Sequence, residues 1–297
     1  MKTQTVSNNL WESFLKDLRR GWVSSEHWFT QNVKELDKLY SPKNFRSKTS
    51  YYEVPSGEQG IILENISKIT RYTQDRQIVV WGAGMKEAEL VKAAMREGSK
   101  RHITIIDIEK FYMDKMIKRI NNLKKIRVVK IIDLFQNVRL NKRNPSFHIF
   151  LGTSIGNFDQ EEIFRVLERN MKKGDLIMIG FELNKNPPWI LKEYKKDSNF
   201  TKCVHLKIFD NAIKMKRAKE YWRYNNKKQQ IEFFIEFLDN VRIDKFKLYF
   251  RKGSKVEVFR SKKYNEKSFS RFALRYSLET LETFSEGNNC IKILRKM

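Results

Sequence analysis

The stretch Ile78-Val79-Val80-Trp81-Gly82-Ala83-Gly84 decides the fold. Its first four residues are continuously apolar, which is typical of a strand buried on both faces in a parallel sheet. The two glycines predict a tight turn into a helix, where the backbone can approach a ligand closely because no side chain intervenes. The stretch therefore predicts an α/β fold with a ligand site at the end of its first strand.

Strand and helix patterns continue to alternate downstream of this turn. Alternation at this spacing predicts a doubly wound, Rossmann-like sheet, because parallel strands need crossover helices between them. After the first strand we expect strands at 102–108, 127–132, 147–152 and 175–182, and helices at 86–98, 109–123 and 159–171.

The two flanks carry other patterns. Helical spacing predicts N-terminal helices at 10–20 (with Gly21 as a stop), 26–40 and 61–72, with a proline- and glycine-containing loop at 41–60. The tail predicts strands at 230–242, two more within 246–260, a helix at 266–279 and a strand at 290–294. We therefore expect a helical region at 1–75, the Rossmann-like core at 76–200, a smaller α+β region over the active site at 201–285, and a last strand at 286–297 that returns to the core sheet.

Composition limits the class of protein. The chain has 297 residues, of which 40% are hydrophobic, and no apolar run reaches the roughly 18 residues that span a bilayer. The N-terminal twenty residues lack the apolar core of a signal peptide. Two cysteines and four scattered histidines show no spacing typical of metal ligands. We expect a cytoplasmic protein with no membrane partner and no metal.

The formal charge of +25 has two interpretations. A large basic excess can indicate a nucleic-acid-binding surface, or it can reflect lysine used as a general surface residue. Here the basic residues spread along the whole chain and lack the regular interleaving with aromatic residues that base stacking requires. Specific nucleic-acid binding remains an alternative that the charge alone does not favour.

Acidic residues at the next strand ends indicate a cofactor. Asp107 ends the second strand, 23 residues after Gly84, where a carboxylate can accept both ribose hydroxyls. Asp133-Leu134-Phe135 follows the third strand and would hold and cover an adenine ring. Taken alone, the glycine turn could be a tight turn that binds no ligand, and Asp107 could simply cap the end of its strand. Together they favour S-adenosylmethionine over a dinucleotide, bound by Gly82, Ala83, Gly84, Asp107, Asp133, Leu134 and Phe135.

The segment Leu151-Gly152-Thr153-Ser154-Ile155-Gly156-Asn157-Phe158 follows the fourth strand, at the sheet edge where such folds bind ligands. Asn157 offers a donor and an acceptor, which suit the ammonium and carboxylate of an amino acid. The alternative is that Asn157 caps the next helix. The sequence by itself does not separate these two interpretations.

This segment resembles the Leu-Gly-Ser-Thr-Ile-Gly-Asn-Phe signature of the histidine-specific methyltransferases of ergothioneine biosynthesis, the EgtD-like family, with the hydroxyl pair in swapped order. Glu182-Leu183-Asn184-Lys185-Asn186-Pro187 is similar to the family's Asp-Leu-x-Lys-Asp-Pro. The likeness covers roughly residues 75–297. Further matches are Gly174 to Gly180, Tyr194, Arg223-Tyr224-Asn225, Gln230 to Ile243, Ser261-Lys262-Lys263-Tyr264 and Ile291 to Leu294.

The resemblance implies a Rossmann-like methyltransferase with a second domain, which methylates the α-amino group of an amino acid using S-adenosylmethionine. It implies that Asn157 and Tyr194 orient the amine. The substrate-binding residues would be Gly152, Asn157, Tyr194, Phe259, Ser261 and, from a tyrosine pair, Tyr51. One position departs from the family. Phe259 stands where the family has a glutamate that bonds the histidine imidazole. The sequence therefore predicts the same class of reaction on a substrate other than histidine.

Two other functions stay open at this stage. Asn186-Pro187-Pro188-Trp189 matches a motif of methyltransferases that act on adenine bases or glutamine amides, but it follows the fifth strand and not the fourth. We favour the interpretation that its prolines begin a helix. A non-catalytic binding module is the third possibility, because Val80 and Phe259 occupy positions where acidic residues are usual.

Overall fold

The computed structural model describes residues 5–24, 53–121, 123, 126–141, 144–196, 218–243 and 247–297. The chain forms two compact units, each built from two separate stretches. The accessory unit consists of Met1–Tyr52 and Asn186–Lys262, and the sheet unit consists of Glu53–Lys185 and Lys263–Met297. This division differs from the expected boundaries at residues 75, 200 and 285. The helix expected at 26–40 and Tyr51 lie outside the described residues.

The described residues form eight α-helices and twelve strands. The helices are α1 Thr5–Arg20, α2 Glu53–Glu64, α3 Ile66–Arg71, α4 Met85–Arg96, α5 Lys110–Ile120, α6 Gln160–Asn170, α7 Pro187–Lys196 and α8 Glu266–Leu274. The strands are β1 Gln77–Trp81, β2 His102–Asp107, β3 Arg127–Ile132, β4 Ser146–Phe150, β5 Leu176–Glu182, β6 Ala218–Asn225, β7 Gln230–Phe237, β8 Val241–Ile243, β9 Leu248–Phe250, β10 Lys255–Lys262, β11 Leu278–Glu286 and β12 Asn289–Lys296.

The sheet unit contains a seven-stranded sheet in the order β11-β12-β5-β4-β1-β2-β3. Strands β1 to β5 pair in parallel, whereas β12 and β11 are antiparallel to their neighbours. All five residues of β1 are buried, which explains the continuous apolar run from Ile78 to Trp81 that makes up most of the strand. Strands β2 and β4 lie on opposite sides of β1, so the strand order reverses at β1. Such a reversal opens a crevice at the carboxyl ends of the strands, where ligands bind in folds of this kind.

Helices cover both faces of this sheet. One face packs against α2 to α5 around a cluster that includes Ile61, Ile78 and Ile105. The other face packs against α6 and α8, with Phe164 and Phe269 in contact. The doubly wound α/β architecture expected from the sequence is confirmed.

Two expected elements of the sheet unit are wrong. Residues 53–60, expected as loop, form most of α2, since Pro55 lies in the first turn, where a helix tolerates proline. A Cβ at Gly57 would lie 2.3 Å from Nδ2 of Asn289, so this glycine permits close packing on β12. The helix expected at 266–279 ends at Leu274, and β11 follows, paired with β12.

The accessory unit contains a three-stranded antiparallel sheet in the order β10-β7-β6 and a separate β8-β9 pair. Helices α1 and α7 pack on a core that includes Phe14, Ile190 and Phe233. The strand expected at 230–242 is divided into β7 and β8, and β6 was not expected. Tyr194, Phe259 and Ser261 all belong to this unit.

Candidate active site

The glycine turn after β1 has the geometry expected of a close-approach loop. Gly82 has a φ of +89°, in the region that favours glycine, and Gly84 is the N-cap of α4. A Cβ at Gly84 would lie 2.1 Å from Oε2 of Glu87. Glu87 itself is buried, and burial raises the pKa of its carboxyl to about 7. Glycine at 84 therefore makes room for a buried carboxyl group beside the turn.

Asp107 ties the end of β2 to the glycine turn. Its Oδ2 accepts from the backbone N–H of Ala83 at 2.7 Å, and its Oδ1 accepts from that of Glu109 at 2.8 Å. Burial raises the pKa of Asp107 to about 6, although these backbone donors oppose the shift. Burial and the neighbouring Asp107 raise the pKa of Glu109 to about 7. The hydrogen bond with Glu109 shows that Asp107 does cap the end of β2, one of the two roles that the sequence allowed. The hydrogen bond with Ala83 joins the end of β2 to the glycine turn.

The segment after β3 lies beside these groups. The backbone N–H of Asp133 donates to the Asp107 carbonyl at 3.2 Å, and Asp133 Oδ1 accepts from the N–H of Leu134 at 2.8 Å. The Phe135 ring lies 3.9 Å from the place where a Cβ on Gly82 would sit. It contacts three aromatic rings, with centroids 5.6 Å away for Trp81, 5.7 Å for Phe150 and 5.6 Å for Phe158. The structure thus brings the predicted cofactor residues together at the ends of three adjacent strands.

The segment after β4 is shaped by two left-handed residues. Gly152 has a φ of +79° and Thr153 a φ of +56°, and a short 3₁₀ turn follows over Ser154–Asn157. The cap of α6 is Asp159, whose Oδ1 accepts from the N–H of Glu162 at 3.0 Å. The alternative that Asn157 caps this helix is therefore wrong. The Asn157 side chain is half-buried and makes no hydrogen bond to the part of the chain that the structure describes.

Glu58 of α2 is a site residue that the sequence analysis missed. Its side chain is 1% exposed, yet it lies at the carboxyl edge of the sheet. Its Oε2 accepts from the backbone N–H of Gly152 at 2.8 Å and pairs with Nζ of Lys86 in α4. The surrounding sequence predicts a loop, so no pattern places this carboxylate against the sheet.

In the accessory unit, three predicted substrate-binding residues come together. The Tyr194 hydroxyl donates to Oγ of Ser261 at 3.3 Å, and the rings of Tyr194 and Phe259 lie 5.8 Å apart. Trp222, which the sequence analysis missed, lies 6.3 Å from Tyr194 and 6.1 Å from Phe259. Phe259 is only 3% exposed. Phe259, at the position where the histidine-specific family has a glutamate, is thus part of an aromatic cluster.

Asn186-Pro187-Pro188-Trp189 forms the start of α7. Asn186 Oδ1 accepts from the N–H of Trp189 at 3.2 Å, and both prolines lie in the first turn. The prediction that these prolines begin a helix is confirmed.

None of the helices over the described ranges is long and apolar enough to cross a membrane.

Residues 43–295 match a family described as histidine-specific, S-adenosylmethionine-dependent methyltransferases. The chain belongs to this family, since the match covers most of its length. It is an S-adenosylmethionine-dependent methyltransferase, which confirms the expected enzyme class and cofactor. A comparison with curated proteins found no match.

Solved structures share the fold at low sequence identity. An S-adenosylmethionine-dependent methyltransferase from Clostridium acetobutylicum ATCC 824 is 10% identical with a TM-score of 0.50, over 89% of this chain and 98% of that one. Magnesium protoporphyrin IX methyltransferase from Synechocystis PCC 6803, solved with bound S-adenosylhomocysteine (SAH), is 8% identical with a TM-score of 0.52, over 92% and 98%. At such identities the likeness shows the fold alone, and it confirms the Rossmann-like class.

The residues at the sheet edge fit this cofactor. The open backbone at Gly82 admits a ligand, and Asp107 presents a carboxylate that can accept hydroxyl groups. Among the described residues, Oε1 of the buried Glu58 has no hydrogen-bond partner. A buried oxygen in this state is the kind of group that a polar ligand satisfies.

Proposed function

We propose that this methyltransferase acts on the amino group of an amino acid or a related small amine, and that histidine is not its substrate. The observation that carries the proposal is Phe259, buried against Tyr194 and Trp222 where a carboxylate would bond an imidazole ring. An acceptor with an apolar side chain suits such a cluster, because aromatic rings offer area for burial and few hydrogen bonds.

Two carboxylates near Phe259, those of Glu232 and Glu257, already have partners. Glu232 bonds Arg223 at 2.6 Å and also accepts from Asn225 at 2.9 Å, and Glu257 bonds Arg260 at 2.6 Å. An imidazole N–H packed against the ring of Phe259 would therefore lack the charged hydrogen bond that a glutamate at this position supplies. That loss costs about 1–3 kcal/mol, which weakens histidine about 10- to 100-fold relative to an apolar side chain.

The chemistry follows from how the chain holds its ligands. The cofactor supplies an electrophilic methyl group on a sulfonium. For binding it, we propose Gly82, Ala83 and Gly84 as the backbone cradle, Asp107 as the acceptor for ribose hydroxyls, and Asp133, Leu134 and Phe135 as the adenine contacts. Aligning the nucleophile with the methyl group then supplies most of the rate, because methyl transfer is an in-line displacement.

The amine has to reach the methyl group as a neutral nucleophile. We propose that Gly152 leaves room for it and that Asn157 orients it through its amide oxygen, at the end of β4. Tyr194 donates to Ser261, and a phenol oxygen that donates can also accept a hydrogen bond from an ammonium group. Desolvation lowers the pKa of an amine and so favours loss of its proton. We assign these two residues as the orienting groups and assign no general base.

Methyl transfer from isotope-labelled S-adenosylmethionine tests the class of acceptor. The purified protein is incubated separately with mixed amino acids, with small amines and with RNA or DNA, and label is measured in each fraction. We expect labelled amino acid or amine. Label found in the nucleic acid, with strongly salt-dependent binding, would instead support the interpretation of the basic charge as a nucleic-acid surface.

A further inference from the structure

The buried Glu58 carboxylate uses its two oxygens unequally. Oε2 accepts from the N–H of Gly152 and pairs with Lys86, whereas Oε1 has no partner within the described residues. Lys86 belongs to the first turn of α4, just after the glycine turn, and Gly152 follows β4. The carboxylate therefore bridges the two segments that border the crevice beside β1.

A glycine in β5 makes room for this carboxylate. A Cβ on Gly180 would lie 1.7 Å from Oε1 of Glu58 and 3.3 Å from Cδ2 of Leu151. Gly180 does not have a positive φ, so its backbone does not require glycine and only space explains the residue. The sheet is therefore built to receive the end of the Glu58 side chain.

The surroundings of Glu58 favour a bound cation. Glu87 and Asp107 add carboxyl groups at the same edge, and burial raises the pKa of both. The charges of Glu58 and Asp107 add to the effect of burial on the pKa of Glu87, whereas the charge of Lys86 opposes it. A buried carboxylate oxygen without a partner costs roughly 1–3 kcal/mol, and a positively charged donor removes that cost.

We propose that Glu58 is a cofactor-binding residue whose Oε1 accepts a hydrogen bond from the α-ammonium of the methionine part of S-adenosylmethionine. The position favours this group, because Glu58 contacts both the helix after the glycine turn and the start of the segment after β4. The amino group of the methyl acceptor is a second ammonium group that could donate to the same oxygen. Ligands that contain or lack an amino-acid part distinguish the two sources.

Calorimetry on Glu58→Gln with three ligands tests the proposal. S-adenosylmethionine and S-adenosylhomocysteine contain the α-ammonium, whereas 5′-methylthioadenosine has the same adenosine and sulfur without it. We expect the variant to bind the first two about 10- to 100-fold more weakly, because a charged hydrogen bond is lost. The affinity for methylthioadenosine should change by no more than about twofold, as for a residue it does not contact.

Glu89→Gln is the matched control, since Glu89 lies on α4 and bonds Arg119 at the surface. It should leave all three affinities unchanged. If Glu58→Gln does not fold, the double variant with Lys86→Gln removes both charges of the buried pair and is measured in its place. Equal loss of all three ligands would show a structural role for Glu58, and unchanged affinity for S-adenosylhomocysteine would exclude the cofactor as the source. Either result overturns the proposal, and neither depends on which acceptor the enzyme methylates.

Discussion

The substitution Gly180→Ala tests directly how Glu58 is seated. The added methyl carbon would lie 1.7 Å from Glu58 Oε1 and 2.8 Å from its Cδ, so the carboxylate has to leave its place. Leaving it breaks the bond to the Gly152 N–H and the ion pair with Lys86. The far end of a glutamate is flexible, and the cost is therefore set by these two contacts.

Two opposing effects decide the magnitude. Loss of the Glu58 contacts costs about 2–4 kcal/mol, because one is a charged hydrogen bond and the other leaves buried charges unpaired. Alanine regains about 0.5–1 kcal/mol over glycine inside a strand, since glycine loses more conformational entropy on folding. Gly180→Ala should therefore lower the free energy of unfolding by about 1–3 kcal/mol.

A double-mutant cycle in urea unfolding, followed by circular dichroism, measures this coupling. In a Glu58→Ser background the alanine meets no carboxylate, and the remaining close neighbour is the flexible end of Leu151, with Cδ2 at 3.3 Å. Gly180→Ala should then stabilise by up to about 0.5–1 kcal/mol, and its effect changes sign. Gly60→Ala in α2 is the control. Its Cβ would lie 3.6 Å from Glu286 Oε2, an ordinary contact, and it should stabilise in both backgrounds. An equal destabilisation by Gly180→Ala with and without Glu58 would refute the reasoning.

Three further perturbations address other residues of the sheet edge. Burial raises the pKa of Asp107 to about 6, so cofactor affinity should fall as the pH drops through 6, where half of the carboxylate is protonated. Asp107→Asn should abolish that step in calorimetry, and a pH-independent wild type would contradict this. Burial also raises the pKa of Glu87 from 4.5 to about 7, so its contribution to stability is fully present below pH 4.5 and is lost as pH rises through 7. Glu87→Gln should therefore be more stable than wild type at pH 8, by an amount on the order of 3 kcal/mol, and similar to it at pH 4; thermal melts that show no pH-dependent difference would count against the buried carboxyl. Asn157→Ala should reduce turnover at least about 100-fold with cofactor affinity unchanged, because orientation of the amine is lost. Parallel loss of both would mean that Asn157 holds the cofactor.

The sequence predicted the central sheet because its signals are local. Strands β1 and β2 contain short, buried apolar runs, and the partly exposed edge strand β3 is still mostly apolar. Asp107 is the last residue of β2, and Asp133 directly follows β3. Because β2 and β3 are neighbouring parallel strands, Asp107 and Asp133 at their carboxyl ends lie at the same edge of the sheet. The N-terminal cap of α6 differs, since Asn157 and Asp159 are both suitable capping residues, and only the backbone geometry shows that Asp159 is used.

The missed features depend on contacts between distant residues. Glu58 contacts Gly152 and Gly180, which lie far from it in the sequence. Neither residue spacing nor helix propensity therefore indicates its place in the site. Strand β11 was not predicted, and its first two residues fall within the helix expected at 266–279. A bulge between Thr280 and Glu282 interrupts the alternation of this strand. Its pairing with β12 determined the structure, and such pairing cannot be read from one segment alone.

The most direct test of the central claim is a competition among acceptors. Wild-type enzyme is incubated with methyl-labelled S-adenosylmethionine and an equimolar mixture of the proteinogenic amino acids, and N-methylated products are quantified by mass spectrometry. With Phe259 buried among aromatic rings, we predict that an amino acid with an apolar side chain is the main product and histidine a minor one or none. Histidine as the main labelled product would contradict the account.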